Sequence, residues 1–335
     1  MDAVTPRRDI WLSLEDASAI GAARRIAIAL AKEGGFSEDH TGRIGVAVSE
    51  AASNLVKHAT AGVMLIRPHP DAATTLEVFS LDGGPGMADV EARIRDGHST
   101  AGTLGIGLGA ISRLSDAWDV HSQPGRGTIL TMRFHAPGSP QPDERECGMY
   151  RPIGDEVACG DAFAVAGRGD TLTAIVCDGL GHGIAAAAAS TEAVRVFREH
   201  TDATPAVIIE RVHEALGGTR GGAVAVVRLD RAARTAAYAG VGNISGWIVH
   251  AEGRQGMVSV HGIAGHRARG IREMRYELPP HGLVVLHSDG LTDRWNLSGY
   301  PGLLTHSAPV IAGTLLRDWA VRRDDACVLV MRVER

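Results

Sequence analysis

Two long apolar segments in the second half of the chain run straight into Asp-Gly. TLTAIVCD ends at Asp178-Gly179, and GLVVLHSD ends at Asp289-Gly290. One such strand end is an ordinary turn signal, because aspartate and glycine both suit turns. Here two of them are flanked by further acidic sites, at Gly154-Asp155, at Cys159-Gly160-Asp161 and at Arg322-Arg323-Asp324-Asp325. Carboxylates that converge at strand ends repel one another unless cations neutralise them, and an oxygen-only donor set suits Mg2+ or Mn2+. No cluster of histidines and cysteines competes for zinc. Cys177 adjoins Asp178, but strand alternation turns it to the opposite side, where it reads as core.

The first half carries a different chemistry. On a helix expected from about Ser37, its N-cap, to about Ala59, the residues Ile44, Val48, Ala51 and Leu55 form an apolar stripe. Glu50, Asn54 and Lys57 or His58 form a separate polar stripe, spaced i, i+4 and i+7 or i+8. Taken alone, that stripe is an ordinary solvated face. It is followed by the strand TLEVFSLD, which ends at Asp82 before Gly83-Gly84-Pro85-Gly86. A carboxylate there can accept from a buried amine, and the glycines let backbone approach a flat ring closely. Next comes GTLGIGLGAISRL, whose Gly102, Gly105, Gly107 and Gly109 lead into a helix with Ile111 and Leu114 on its apolar side. Glycines ahead of a helix start expose N–H groups that can cradle phosphates. Gly125-Arg126-Gly127-Thr128 opens a last strand, TILTMRF.

The elements that must position these residues divide at HAPGSPQPDERECG, residues 135 to 148, a proline- and charge-rich stretch between two strand-like segments. The expected organisation is a domain over 1–137, a linker over 138–147 and a domain over 148–335. At 335 residues the chain is long enough for two cores. With aromatics at 4%, those cores must be built from Ala, Val, Leu and Ile. A net charge of −5 without a Lys/Arg run argues against nucleic acid. No apolar run is long enough to span a membrane, and the four cysteines (Cys147, Cys159, Cys177, Cys327) show no CxxC pair. A cytoplasmic protein with reduced thiols is expected.

The four glycine and polar elements of the first half, in this order, resemble the GHKL ATPase superfamily: SEAASNLVKHA as an N box, Asp82–Gly86 as a DxGxG box, Gly105–Gly109 as a lid box, and a final Gly-Thr. The segment TAGTLGIGLGAISRLSDAWDV resembles most the small serine kinases of bacterial partner-switching pathways, the anti-sigma-factor and stressosome branch. The resemblance implies an α/β sandwich with ATP between helices and a mixed sheet. It implies that Asn54 holds Mg2+, Glu50 polarises the attacking nucleophile and Asp82 binds the adenine amine. Gly84, Gly86, Gly105, Gly107, Gly109 and Thr128 complete the cofactor-binding set. No phospho-acceptor histidine precedes the module, which sets sensor histidine kinases aside.

CDGLGHG followed by a small-residue helix, with SDGLTD and DDACVLV downstream, resembles the PPM metal-dependent phosphatases, in the SpoIIE/RsbX-like branch. This resemblance implies an αββα sandwich, so the whole chain is expected to be α/β (α+β). It implies a binuclear Mn2+ or Mg2+ centre in which catalytic Asp178 bridges both ions, the Gly179 carbonyl serves one, and Asp161, Asp289 and Asp324 complete the ligands. Asp325 stands as an alternative to Asp324, since adjacent carboxylates leave the register open by one. Two such metals lower the pKa of a bridging water and clamp phosphoryl oxygens, so no covalent nucleophile is needed. His182 is a candidate to protonate the leaving seryl oxygen, with a structural role at its loop-to-helix junction as the first reading. Arg151 is the candidate for phosphate binding.

Together the two resemblances imply a serine/threonine phosphatase fused to an ATP-binding, kinase-like domain. Its implied partner is a phosphorylated STAS-domain protein, an anti-anti-sigma factor or stressosome-type scaffold. The alternative makes the first half a non-catalytic, nucleotide-binding switch that sequesters a partner and gates the phosphatase.

Overall fold

Helix formation in the first half follows from two capped, amphipathic segments. The computed structural model describes residues 9–95, 107–139, 141–154, 156–268 and 270–334. Asp16 caps α1 (Ala17–Glu33) by accepting from the N–H groups of Ser18 and Ala19, and Ser37 caps α2 (Glu38–His58) by accepting from His40 N–H. Strands β1 (Ile10–Ser13), β2 (Val63–His69), β3 (Ala72–Leu81), β4 (Ala117–Gln123) and β5 (Gly127–His135) form one sheet in the order β1-β2-β3-β5-β4. Two short helices, α3 (Val90–Arg95) and α4 (Gly107–Leu114), interrupt the path from β3 to β4. The apolar stripes of α1 and α2 close on Met64, Ile66, Leu76, Val78, Leu130, Met132 and Phe134 to make one core. Every strand pair in this sheet is antiparallel, not mixed as the resemblance implied. The reason is local: β2–β3 and β4–β5 are hairpins, and a short turn reverses the chain.

The chain divides into two compact units, Met1–Asp143 with Thr305–Arg317, and Glu144–Leu304 with Asp318–Arg335. Residues 305–317, expected within the second domain, thus belong to the first unit. Strand alternation turns Leu65, Phe79, Leu81 and Ile129 to the sheet face opposite α1 and α2, and these residues are buried as well. The helix α7, introduced below, lies there: a Cβ on its Gly313 would stand 3.1 Å from Ile129 and 3.6 Å from Leu81. Asp119 on β4 accepts from Ser307 N–H at 2.8 Å and Ser307 Oγ–H at 2.6 Å, and its other oxygen lies 2.8 Å from His306 Nδ1.

The second unit contains β6 (Glu146–Arg151), β7 (Asp161–Arg168), β8 (Thr171–Gly179), α5 (Ile184–Glu199), α6 (Pro205–Ala215), β9 (Gly222–Asp230), β10 (Thr235–Val241), β11 (Ser245–His250) and β12 (Gly253–Met257). It continues through β13 (Gly262–Ile263), β14 (Arg267–Ala268), β15 (Met274–Glu277) and β16 (Leu283–His287); after α7 (Ala308–Trp319) it ends in β17 (Ala326–Arg332). Two five-stranded antiparallel sheets, β15-β10-β9-β8-β7 and β12-β11-β16-β17-β6, enclose a core that includes Phe163, Val176, Val227, Leu286 and Leu329. α5 and α6 cover the outer face of the first of these sheets through Ala189, Ala193, Phe197, Ile208 and Val212. The chain is therefore α/β, with two sheets packed face to face in its second unit, as the second resemblance implies. Among the described residues no helix is long and apolar enough to cross a membrane.

Candidate functional site

The acidic site of the second unit is built where β7 and β8 pair. Asp161 and Asp178 are direct register partners, so their carboxylates project from the same face. Asp161 is 3% exposed; its Oδ2 accepts from Ser288 Oγ–H at 2.6 Å, whereas Oδ1 is buried without a hydrogen-bond partner. Burial, and then the charge of Asp178, raises the Asp161 carboxyl well above the usual range. Burial also raises Asp178, followed by the charges of Asp289 and Asp324. Asp324 is raised by burial and by Asp289. Four carboxylates from four chain segments therefore share one electrostatic neighbourhood, and none of them is paired with a lysine or arginine among the described residues.

The adjacent Asp324 and Asp325 play unlike parts. Asp324 turns to the acidic cluster. Asp325 is 2% exposed, and its two oxygens accept from Ile153 N–H and Gly160 N–H, both at 2.7 Å. It ties down both ends of the loop that leads into Asp161. Gly179 ends β8 against α5, where a Cβ would meet the Ala186 carbonyl oxygen at 2.1 Å. Two supporting residues were not legible in the sequence. Ser288 holds Asp161 and also accepts from Cys327 N–H at 2.9 Å, and Asn243 Nδ2 donates to Asp289 Oδ2 at 2.7 Å. Serine and asparagine are too common for either to stand out before the fold brings it beside an aspartate.

The loop after Asp289 is held by aromatic groups. Arg254 stacks between Trp247 and Trp295, its Cζ 3.9 and 4.3 Å from the two rings. Trp247 Nε1 donates to Asp293 Oδ1, and Trp295 Nε1 donates to His287 Nε2. Asp293 thus serves the loop. Cys177 is buried in the core against α5, as its strand position predicts. His182 is exposed and lies 3.0 Å from Glu156 Oε1, while the guanidinium pKa of half-buried Arg151 is lowered by burial and then by the like charge of Arg322. Asp155 lies outside the described residues.

The residues present fit divalent cations. The donors are all oxygen, the buried Oδ1 of Asp161 lacks a partner, and the carboxyls of Asp161, Asp178 and Asp324 are raised by burial and then by neighbouring carboxylate charge. Among the described residues no three carboxylate, imidazole or thiol groups already encircle one point, so a complete shell needs backbone oxygen and water as well.

In the first unit, Glu50 and Asn54 lie one turn apart on α2, both half-buried and without a side-chain hydrogen bond to any described residue. Asp82 Oδ1 accepts from Gly84 N–H at 2.7 Å, leaving Oδ2 without a described partner. Burial raises this carboxyl despite that bond. Asp82 also exchanges backbone hydrogen bonds with Thr128, whose Oγ1 lies 2.9 Å from Ser122 Oγ. Two glycines are sterically required. At Gly86 (φ +66°) a Cβ would stand 2.0 Å from the Gln123 carbonyl oxygen, and at Gly127 (φ +84°) 2.0 Å from that of Asp82. Gly84 packs against the end of α2, near the His58 carbonyl. Gly107 opens α4 and Gly109 packs near the Ile94 carbonyl, whereas Gly105 lies outside the described residues.

Residues 13–134 match the family described as the histidine kinase-like ATPase domain, and residues 168–334 match stage II sporulation protein E (SpoIIE). Over 112 residues the chain is 38% identical to the serine/threonine-protein kinase RsbT of Bacillus subtilis (strain 168), covering 33% of this chain and 84% of RsbT. The chain belongs to the histidine kinase-like ATPase family of RsbT, fused to a SpoIIE domain. A solved chain described under "The bacterial stressosome: a modular system that has been adapted to control secondary messenger signaling" is 28% identical, with a TM-score of 0.52. That match covers 56% of this chain and 98% of the other. The N box and glycine boxes lie within the first match, and Asp178, Asp289 and Asp324 lie within the second, with Asp161 just ahead of it. The fusion joins a kinase-like ATPase domain to a SpoIIE domain.

Proposed function

We propose that the second unit is a Mn2+- or Mg2+-dependent serine/threonine phosphatase. Its substrate is a phosphorylated STAS-domain protein, an anti-anti-sigma factor or stressosome scaffold, in a cytoplasmic partner-switching pathway. The observation that carries the reading is that Asp161, Asp178, Asp289 and Asp324 share one electrostatic neighbourhood with no lysine or arginine partner among the described residues, around a buried Asp161 Oδ1 that has no hydrogen-bond partner. Asp161, Asp178, Asp289, Asp324 and the Gly179 carbonyl would hold two ions. Bound there, the ions would supply an activated water and neutralise phosphoryl charge. Ser288 orients Asp161, Asn243 orients Asp289, and Asp325 keeps the loop before Asp161 in register.

The first unit is proposed to bind Mg·ATP and to phosphorylate a serine or threonine of the same partner class. Asp82 would accept from the adenine amine, Asn54 would hold Mg2+, and Thr128 with Gly84, Gly86, Gly105, Gly107 and Gly109 would bind the rest of the nucleotide. Glu50, unpaired one turn from Asn54, accepts the hydroxyl proton.

Both activities are tested on the intact chain, because truncation near residue 138 would strip Thr305–Arg317 from the first unit. Phosphate release from a phosphoserine STAS protein should require Mn2+ or Mg2+, vanish in EDTA and fail in Asp178→Asn. Full turnover in EDTA overturns the metal reading. Label transfer from ATP should stop in Glu50→Gln with nucleotide binding retained. A chain that binds ATP and partner without ever labelling the partner is a switch instead.

A further inference from the structure

Three large apolar side chains stand in solvent beside the acidic cluster. Val157 is 98% exposed, Ile184 80% and Leu180 49%. They are not on loose chain. Asp325 fastens the loop bearing Val157 at Ile153 and Gly160, and Glu156 reaches across to His182, between Leu180 and Ile184. Leu180 N–H donates to the Gly221 carbonyl at 3.0 Å, and Ile184 opens α5 directly after its cap, Gly183. The fold thus holds three greasy side chains in water within six residues of Asp178 or four of Asp161. Eight large apolar residues are exposed among those described, so this grouping is not a general property of the surface.

Cationic groups share the rim. Arg220 Nη1 lies 3.2 Å from where a Cβ on Gly181 would stand, and its side chain has no carboxylate partner among the described residues. Arg151 likewise lacks one among the described residues, and the like charge of Arg322 acts on it. A rim that is apolar and positive around an acidic well complements a segment that is apolar and carries a phosphate.

We propose that Val157, Leu180 and Ile184 form a docking surface for the substrate segment, which carries apolar side chains immediately flanking its phosphoserine or phosphothreonine. The inference rests on the phosphatase reading for what happens at the phosphate, but the surface itself binds through apolar contact. It makes the enzyme selective for phosphoresidues at apolar sites over those in polar, flexible tails.

The test uses the full chain with Mn2+ and three substrates: p-nitrophenyl phosphate, a phosphoserine peptide with Leu, Val and Ile flanks, and one with Ser and Gly flanks. Wild type should process the apolar peptide with kcat/KM about tenfold above the polar one, the difference lying in KM. In Val157→Ser/Ile184→Ser the preference should vanish, with p-nitrophenyl phosphate turnover unchanged. Fluorescence polarisation of both peptides in EDTA reads binding without turnover. Equal affinity for the two peptides, or a preference that survives the double substitution, overturns the docking surface. Absent turnover on every substrate with the binding preference intact overturns the phosphatase reading and leaves the docking surface standing.

Discussion

Replacing Asp325 with alanine removes the acceptor of two backbone donors, Ile153 N–H and Gly160 N–H, each bonded at 2.7 Å. The Gly160 contact is fully buried, and an unsatisfied buried donor costs about 1–3 kcal/mol. The Ile153 contact is partly exposed, so water recovers some of it and the loss there is about 1 kcal/mol. The sum, about 2–4 kcal/mol, lowers the melting temperature of a unit of this size by about 4–16 °C, at roughly 2–4 °C per kcal/mol. Asp324→Ala does the opposite in metal-free protein. It deletes a carboxylate that Asp289 repels, so the melting temperature should hold or rise. The ion response separates the pair further. With Mn2+ at about one hundred times its dissociation constant, binding adds about 2.7 kcal/mol to the wild type. Asp324→Ala should lose most of that gain, whereas Asp325→Ala starts lower. Melting curves followed by circular dichroism, in EDTA and in Mn2+, provide the assay. If Asp325→Ala melts like wild type in EDTA while Asp324→Ala is the destabilised variant, the division of roles between the two aspartates is wrong.

The raised carboxyls of Asp161, Asp178 and Asp324 give the metal-free protein a pH signature. Their protonated forms stabilise the fold below the ordinary aspartate range, and that contribution is lost as pH rises through the elevated values, so EDTA-treated protein should melt higher at pH 5 than at pH 8 and Mn2+ should remove the difference. In the first unit, Glu77 is buried between Arg67 and Arg133; burial pushes its carboxyl up, but the two guanidiniums outweigh this and bring it to about 2. Its contribution is therefore full above the ordinary glutamate value of 4.5 and fades as pH falls toward about 2. Glu77→Gln takes the paired carboxylate from buried Arg133 and leaves Arg67 with Asp9 alone, and should cost about 3–5 kcal/mol, read by denaturant titration at pH 7. Gly86→Ala forces a Cβ onto the Gln123 carbonyl at a positive φ, so calorimetry should show ATP affinity falling at least tenfold while the phosphatase activity is retained.

The local boxes of this protein were legible in the sequence because each is written in consecutive residues. The apolar run into Asp178-Gly179 folds as β8 with its aspartate at the strand end, and Ser37 caps α2 with Glu50 and Asn54 one turn apart. Strand alternation alone sends Cys177 inward. The tertiary structure decided everything that depends on a partner distant in sequence. Asp324 and Asp325 are chemically identical neighbours; only pairing of β17 with β6 sets Asp325 over the N–H groups of Ile153 and Gly160 and leaves Asp324 to the carboxylates. Ser288 and Asn243 acquire meaning only beside Asp161 and Asp289, more than a hundred and some forty residues away. The placement of Thr305–Arg317 in the first unit was likewise hidden. A helix that packs among buried apolar residues has no periodicity that names the sheet it will cover, and here Asp119, on a strand nearly two hundred residues earlier, captures its start.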